Sequence, residues 1–318
     1  MRLRTYIFIT VIILGLSTAA TFVGLNLYHG KNFSLFGASD DVLPIEKVDP
    51  TDGFDKIANY TPNDFVTSEE QLEALIRKQI WDFETKRIYK IDSTKIPSDR
   101  LSIIFENAAI GPRSIQIAFR WEYVSYLHEN YMMLHSTMTY HTTPEQNEFV
   151  ERFAERWAKE NIRDDMTAEE RVKTIHDYII NNSRYSLGFY KKVNQLSVHS
   201  SYTLVKEKAG VCEAYAILFQ KLALASGVNS RFVFGDIGST TDDIYHLWNM
   251  VHIDGKWYHI DVTNDEPFDE EDEEKANTAP PIYRFYLKSD RHMAQTHTWE
   301  RGNYPKARKD YPVNYDAE

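Results

Sequence analysis

A single cysteine stands where it could act as a nucleophile. Cys212 follows Gly210 and opens a stretch of helix-forming, mostly apolar residues that runs to Ala225, with Gly227 placed where a helix would stop. This pattern predicts a buried helix that has Cys212 in its first turn. Unpaired backbone N–H groups and the positive end of the helix dipole favour a thiolate there, so we expect a lowered thiol pKa.

Downstream of the cysteine, two short segments predict a β-hairpin. Residues 246–253 and 256–262 alternate like strands, and Asp254-Gly255 between them is a strong signal for a two-residue turn. Such a turn fixes the register of the two strands. The expected cross-strand pairs are Ile253 with Lys256, His252 with Trp257, Met250 with His259, Trp248 with Asp261, and His246 with Thr263.

In this register His246 and Asp261 share one face of the hairpin as diagonal neighbours. Their backbones would be about 7–8 Å apart, which is within reach for a carboxylate to orient an imidazole. A histidine held in this way can exchange a proton with a cysteine nucleophile and its leaving group. Cys212, His246 and Asp261 are therefore our candidate catalytic residues, and a slip of one residue would separate the acid from the base.

Other roles for these residues remain open. A zinc site built from His246, His252, His259 and Asp261 would need closer convergence than one flat ribbon offers, and one cysteine excludes a cysteine-rich zinc site. We therefore predict no metal and no cofactor. Cys212 could instead be a small buried apolar residue or form an intermolecular disulfide.

Three ordered sequence blocks resemble those of the transglutaminase-like superfamily. They are Gly-Val-Cys-x-x-Tyr-Ala at 210–216, His-x-Trp-Asn at 246–249, and Trp-Tyr-x-x-Asp-Val-Thr at 257–263. The resemblance is strongest over residues 167–265. In that superfamily the blocks carry a nucleophile, a general base and an orienting acid in this order, which implies those roles for Cys212, His246 and Asp261.

The resemblance implies an α+β, papain-like fold, in which the Cys212 helix packs on an antiparallel sheet that presents His246 and Asp261. It also implies an acyl-transfer enzyme that acts on protein or peptide amides. We favour a peptidase or amidase, because water is always present and an amine acceptor needs its own site. The alternatives are a cross-linking transglutaminase and a non-catalytic surface binding module that retains the fold.

Two positions depart from the superfamily pattern. Bacterial relatives often have glycine where Ala214 stands and tryptophan where Asn264 stands, so the cleft could differ in shape. The blocks do not fix a second oxyanion donor beside the Cys212 backbone. Tyr202 is our candidate for that donor, with a packed aromatic as the alternative, and Trp248 is a candidate substrate-binding residue.

The N-terminus predicts a membrane anchor. Arg2 and Arg4 precede an uncharged run of 23 residues from Tyr6 to Tyr28, and a bilayer core needs roughly 20 helical residues. Residues 1–28 should therefore comprise a cytoplasmic start and a single transmembrane signal-anchor, which leaves the rest of the chain outside a bacterial cell membrane. Cleavage of a signal peptide after residues 17–20 is the alternative.

Beyond the anchor we predict three further regions. Residues 29–66 should be a linker, residues 67–145 an N-terminal α+β region, and residues 146–318 the catalytic domain. Helix starts are expected near residues 67–70, at Pro144, and after Thr167, where Glu170 completes a capping box.

The net charge of the chain argues against one class of binding partner. The formal net charge of −11 argues against a nucleic-acid partner, because phosphate binding needs a basic surface. The expected partners are the membrane and a protein or peptide substrate, such as a cell-wall or surface polypeptide. The acidic run at 265–274 is predicted to be a solvated loop, since it lacks the glycine and ligand spacing of a calcium loop.

Overall fold

A computed structural model describes residues 65–110, 117, 119–186, 192–238, 244–267, 280–312 and 315. The predicted signal-anchor and almost all of the predicted linker lie outside these residues. Within the described ranges, no helix combines the length and the apolar character that crossing a bilayer requires. The chain divides into two compact units, the second of which takes in everything from Tyr140 onward.

The described part of the first unit contains two α-helices and a four-stranded sheet. The helices are α1 (Glu69–Trp81) and α2 (Leu101–Ile110), and the strands are β1 (Phe65–Val66), β2 (Lys86–Asp92), β3 (Phe119–Leu127) and β4 (Tyr131–Tyr140), in the sheet order β1-β2-β4-β3. Ser68 caps α1 by accepting a hydrogen bond from the Gln71 N–H. Leu72, Ile76 and Ile80 form the buried face of that helix, as their helical spacing predicts.

The second unit holds the remaining helices and strands of the described chain. The helices are α3 (Pro144–Asn161), α4 (Ala168–Asn182), α5 (Ser201–Glu207), α6 (Cys212–Ala225) and α7 (Asp290–Met293). The strands are β5 (Arg184–Tyr185), β6 (Lys192–Val193), β7 (Leu196–Ser197), β8 (Ala209–Gly210), β9 (Asn229–Ile237), β10 (Ile244–Ile253), β11 (Lys256–Ile260) and β12 (His297–Trp299). Its main sheet has the order β11-β10-β9-β12, with antiparallel neighbours throughout.

Helix α6 forms the centre of this unit. Residues 212–223 are all buried, because α3, α4 and α5 pack on the helix as well as strands β9 and β10. A helix that is apolar almost all round can be stable only in such surroundings. Gly227 follows its C-terminus with φ +75°, the left-handed conformation that glycine adopts most easily. The predicted buried helix and its stop are confirmed.

Capping boxes begin the two preceding helices at the predicted places. Thr143 caps α3 together with Gln146, with Pro144 as the first helical residue, and Thr167 caps α4 together with Glu170. In each box the threonine side chain accepts from a backbone N–H, while the partner side chain accepts from the threonine N–H. These local signals fix where the helices that pack against α6 begin.

The hairpin of β10 and β11 has the predicted register over most of its length. Ile253 pairs with Lys256, His252 with Trp257, and Met250 with His259. Asp254 and Gly255 have φ values of 49° and 76°, as a type I′ turn requires. The ladder ends at the pair of Asn249 and Ile260, so the two further pairs expected for Trp248 and His246 do not form.

Candidate active site

Cys212 is the first residue of α6, with Val211 as the N-cap. The thiol lies under the surface, and the residue is 6% exposed. It lies close enough to the His246 side chain for the two groups to influence each other's pKa. The backbone N–H groups at a helix N-terminus point out of the helix, and such groups favour a nearby negative charge. The predicted position of the cysteine is therefore confirmed.

His246 joins the cysteine to the acid. Its Nε2 lies 2.8 Å from Oδ2 of Asp261, and both residues are buried. Because the carboxylate occupies Nε2, Nδ1 is the ring nitrogen that remains for the thiol of Cys212. The three candidate residues named from the sequence therefore lie side by side, with the imidazole in the middle.

The charge of Asp261 dominates the electrostatics of this group. Burial disfavours the protonated imidazole, but the charge and the hydrogen bond of Asp261 outweigh it and raise the pKa of His246 to about 10. Burial by itself would raise the pKa of Asp261. The interactions with His246, and to a smaller extent with His297, outweigh burial and hold the pKa of this carboxyl far below its usual range. The pair is therefore an imidazolium and a carboxylate.

The thiol behaves differently from the expectation for a helix N-terminus. Burial raises the pKa of Cys212, the His246 hydrogen bond opposes this shift, and the neighbouring charge of Glu213 adds to it. The predicted lowering of the thiol pKa is wrong for this reason: the sulfur is too deeply desolvated. Thiolate formation depends on the imidazolium of His246 rather than on the helix terminus alone.

Asp261 leaves the hairpin and begins a turn. Its N–H donates to the Phe285 carbonyl at 3.3 Å, and its own carbonyl accepts from the Asp265 N–H at 3.2 Å. This turn, instead of the predicted pairing with Trp248, brings the carboxylate to His246. It also brings in Asn264, whose Nδ2 donates to Oδ2 of Asp261 at 2.5 Å and lies 3.0 Å from Nε2 of His246.

A second histidine also contacts Asp261, and no sequence pattern predicts this contact. Nε2 of His297, on β12, lies 3.1 Å from the same Oδ2 atom. His297 is distant in sequence from the hairpin and belongs to none of the three sequence blocks. A short strand such as β12 carries no information about which sheet edge it joins, so its pairing with β9 was not predictable.

Two of the four histidine and aspartate residues considered for zinc point elsewhere. His259 accepts from the Trp248 indole at 3.0 Å and faces Asp290 at 2.9 Å, while His252 lies beside Trp257. Among the described residues, the only group with metal-ligand spacing is His246, Asp261 and His297, whose ligand atoms lie within 4.8 Å of one another. Hydrogen bonds from three side chains to the single Oδ2 atom account for this cluster.

Of the two candidate substrate or oxyanion residues, Trp248 is buried and Tyr202 is partly buried against the core. Trp248 is 1% exposed, and its ring stacks on that of His246 with centroids 5.8 Å apart. This placement makes Trp248 a support for the imidazole and leaves it little surface to offer a substrate. The Tyr202 ring meets Phe149 edge-on at 5.2 Å in the core around α6, which favours the packed-aromatic alternative for that residue.

Two further tyrosines, which we did not single out from the sequence, lie near the nucleophile. Burial raises the pKa of Tyr185 and Tyr245, and the charges of Cys212 and Glu213 raise both further. Glu213 is itself buried and bonded to the His199 ring. The surroundings of the sulfur are therefore aromatic and acidic. Since these residues come from separate elements, no local motif marks them.

The first two residues of the acidic run do not belong to a solvated loop, contrary to our prediction. Asp265 is fully buried, where it accepts from the Phe285 N–H at 2.7 Å and contacts His176 at 3.2 Å. Glu266 accepts from the Tyr185 N–H at 3.0 Å, and burial raises its pKa to about 7. The turn that carries Asp261 is thus held by the buried carboxyl group of Asp265 and the half-buried carboxyl group of Glu266.

Comparison with known proteins agrees with the resemblance of the sequence blocks. Residues 155–262 match the core model of the transglutaminase-like superfamily, and this range contains all three candidate catalytic residues. No curated protein is significantly similar to the chain in sequence.

Solved structures that match the chain include a cysteine protease candidate from Cytophaga hutchinsonii, at 18% identity and a TM-score of 0.30, covering 57% of this chain and 67% of that one. Another is described as a TGase, at 13% identity and a TM-score of 0.33, covering 62% of this chain and 59% of that one. A third is the periplasmic domain of TgpA from Pseudomonas aeruginosa, at 13% identity and a TM-score of 0.29, covering 42% of this chain and 55% of that one.

These TM-scores are all below 0.5, so the assignment depends on the family model and on the sequence blocks. The matched range includes α6, which carries Cys212, and the β10–β11 hairpin with the adjoining Asp261. The chain therefore carries a transglutaminase-like core in residues 155–262.

Proposed function

We propose that this chain is a cysteine acyl-transfer enzyme that acts on protein or peptide amides through Cys212, His246 and Asp261. One observation supports this above all others. His246 lies 2.8 Å from the carboxylate of Asp261, and it is close enough to the thiol of Cys212 for each group to shift the pKa of the other. This chain of contacts supplies a nucleophile, a proton carrier and a group that holds the carrier in place.

The reaction follows from the roles of these three side chains. The sulfur of Cys212 attacks the amide carbonyl carbon, and the resulting oxyanion faces the N–H groups of the first α6 turn. His246 passes its proton to the leaving amine as the C–N bond breaks, which leaves a thioester. A water molecule then attacks the thioester while His246 takes up its proton. A carboxylic acid leaves, and the thiol is restored.

We favour hydrolysis over transfer to an amine, because water needs no dedicated acceptor site. The alternative is cross-linking, in which a lysine amine resolves the same thioester. The two reactions are separated by incubating the full chain with a glutamine-containing donor peptide and a labelled primary amine. Peptide cleavage or deamidation that outpaces amine incorporation supports hydrolysis, whereas incorporation that outpaces both would establish a transglutaminase.

A non-catalytic binding module that retains the fold is the second candidate. The buried thiol favours it, because Cys212 is only 6% exposed and burial raises its pKa. Turnover of an amide substrate by the wild-type chain, and its loss in Cys212→Ala, would exclude this reading. Absence of any turnover or thioester across a broad peptide library would support it.

We further propose that the chain is anchored in the cell membrane through residues 1–28 and that its catalytic unit faces outward, towards a wall or surface polypeptide. The uncharged run behind Arg2 and Arg4 supports this proposal. Protease added to intact cells should digest the folded unit. If the unit is protected until the membrane is opened, the proposed orientation is wrong.

A further inference from the structure

The carboxylate of Asp261 receives more donors than the orientation of one imidazole requires. Its Oδ2 atom lies 2.8 Å from Nε2 of His246, 3.1 Å from Nε2 of His297, and 2.5 Å from Nδ2 of Asn264. Asp261 and both histidines are at most 4% exposed. In such surroundings water does not compete for the donors, and each hydrogen bond constrains the carboxylate strongly.

The protonation pattern of His297 suits a donor to Asp261. Oγ1 of Thr296 lies 2.9 Å from Nδ1 of His297. A hydroxyl can donate to that nitrogen, and this places the ring proton on Nε2, the nitrogen that faces Asp261. The same device, in which one ring nitrogen is fixed so that the other performs its task, orients histidine ligands around metals.

The position of the His297 ring is fixed by packing as well. Trp248 and Phe285 each meet the ring edge-on with centroids 5.0 Å apart. Strand β12 can approach β9 closely because Gly235 has no side chain: a Cβ there would lie 2.1 Å from the Thr298 carbonyl oxygen and 2.8 Å from the Trp248 ring. The close pairing of β12 with β9 therefore places His297 beside the carboxylate of Asp261.

We infer that His297 is a second positioning residue of the Cys212–His246–Asp261 site: it holds the Asp261 carboxylate in the orientation that keeps the His246 imidazolium against the sulfur. This inference rests on the proposed function for its catalytic meaning. It also means that the reactivity of Cys212 depends on the hydrogen bond between His297 and Asp261. This dependence can be measured without any substrate.

The measurement is the rate of Cys212 alkylation by iodoacetamide between pH 5 and pH 10, on the full chain in detergent. Cys212 is the single cysteine of the chain, so the label reports one site. His297→Leu removes the donor, whereas His297→Gln keeps an N–H donor near the position of Nε2. His252→Gln, in the same sheet but away from Asp261, is the matched control.

We expect His297→Leu to slow alkylation at pH 7 by about 10- to 100-fold, the usual cost of losing a residue that orients a histidine site. His297→Gln should stay within about threefold of the wild type, since the hydrogen bond to Asp261 is retained. A residue that only fills space would give the opposite order, because leucine is the better apolar filler. Equal rates in His297→Leu and wild type, with both chains folded, would overturn the inference.

Thr296→Val covers the case in which His297→Leu does not fold. This change leaves the ring in place but removes the donor to Nδ1, so we expect alkylation to slow by severalfold. Unchanged alkylation in Thr296→Val together with an unfolded His297→Leu would also overturn the inference.

The inference and the proposed function can fail separately. If His297→Leu slows alkylation but the wild-type chain forms no thioester with any acyl donor, the positioning role stands and the enzymatic proposal fails. If the wild-type chain forms a thioester and His297→Leu alkylates at the wild-type rate, the positioning role fails alone.

Discussion

Nε2 of His246 lies 2.8 Å from Oδ2 of Asp261, although the two residues are not paired in the hairpin that carries them. The ladder ends one residue before Asp261, and the turn that follows is held by the Phe285 backbone and by buried Asp265. The hairpin thus supplies the imidazole, and tertiary contacts supply the carboxylate. Changes to the hairpin or to the contacts of the turn should therefore alter the reactivity of the Cys212 sulfur.

Asp261→Asn should keep the shape of the site while removing its charge. The imidazolium of His246 would lose the anion that raises its pKa to about 10, and the amide could impose the wrong tautomer on the ring. We expect turnover to fall by about 10⁴-fold, as in a comparable triad whose acid was changed to the amide. Asp254→Asn, in the exposed hairpin turn, is the matched control and should retain full activity. Activity within tenfold of wild type in Asp261→Asn would remove the acid from the mechanism.

Glu266→Gln should alter how stability depends on pH. Burial raises the pKa of Glu266 to about 7, above its unfolded value of about 4.3. A folded-state pKa above the unfolded one means that stability is fully present below the unfolded pKa and is lost as pH rises through about 7. Urea denaturation of wild type should therefore show falling stability from pH 4.5 to pH 7.5.

The slope should be smaller in Glu266→Gln but not zero, because burial also raises the pKa of Asp265, to about 6. Glutamine can still accept from the Tyr185 N–H, so the variant should fold. If wild type and variant lose stability in parallel over this range, Glu266 is not a buried proton-binding group.

Gly235→Ala should destabilise the second unit through backbone crowding. The added Cβ would lie 2.1 Å from the Thr298 carbonyl oxygen, which cannot move without shifting β12. Overpacking of this kind costs about 1–3 kcal/mol, and slower alkylation of Cys212 should accompany it, because β12 carries His297. Gly302→Ala, whose Cβ would meet nothing closer than 3.6 Å, is the control and should be near neutral. A Gly235→Ala chain as stable as wild type would show that the strands are not so tightly joined.

The parts of the site that the sequence predicts are those set by local chemistry. The Asp254-Gly255 turn fixes the hairpin register, and the stretch after Gly210 places Cys212 at a helix start, both independently of the rest of the chain. Two pairs beyond Asn249 were predicted wrongly, because the turn at Asp261 depends on Phe285, which is far along the chain. The contact between His176 and Asp265 also joins residues that are far apart in the chain, so no local pattern predicts it.

The depth at which a residue is buried is a second property that local sequence patterns do not predict. Burial of the sulfur opposes the lowering of a thiol pKa by a helix N-terminus. The burial of α6, which begins at Cys212, comes from packing against α3, α4, α5, β9 and β10, and no local pattern reveals this packing. The approach of His297 likewise depends on β12 joining β9 across a gap of sixty residues or so. The N-terminal anchor and the linker remain predictions.

If the proposed function is right, Cys212 forms a thioester with an acyl donor, and His246 and Asp261 control the rate at which it forms. It is tested by the mass of the peptide that contains Cys212, after the full chain is mixed with an activated glutamine ester, quenched in acid and digested. We expect an added acyl mass on this peptide, absent in Cys212→Ala and strongly reduced in His246→Gln. An unmodified cysteine, or equal labelling in wild type and His246→Gln, would contradict it.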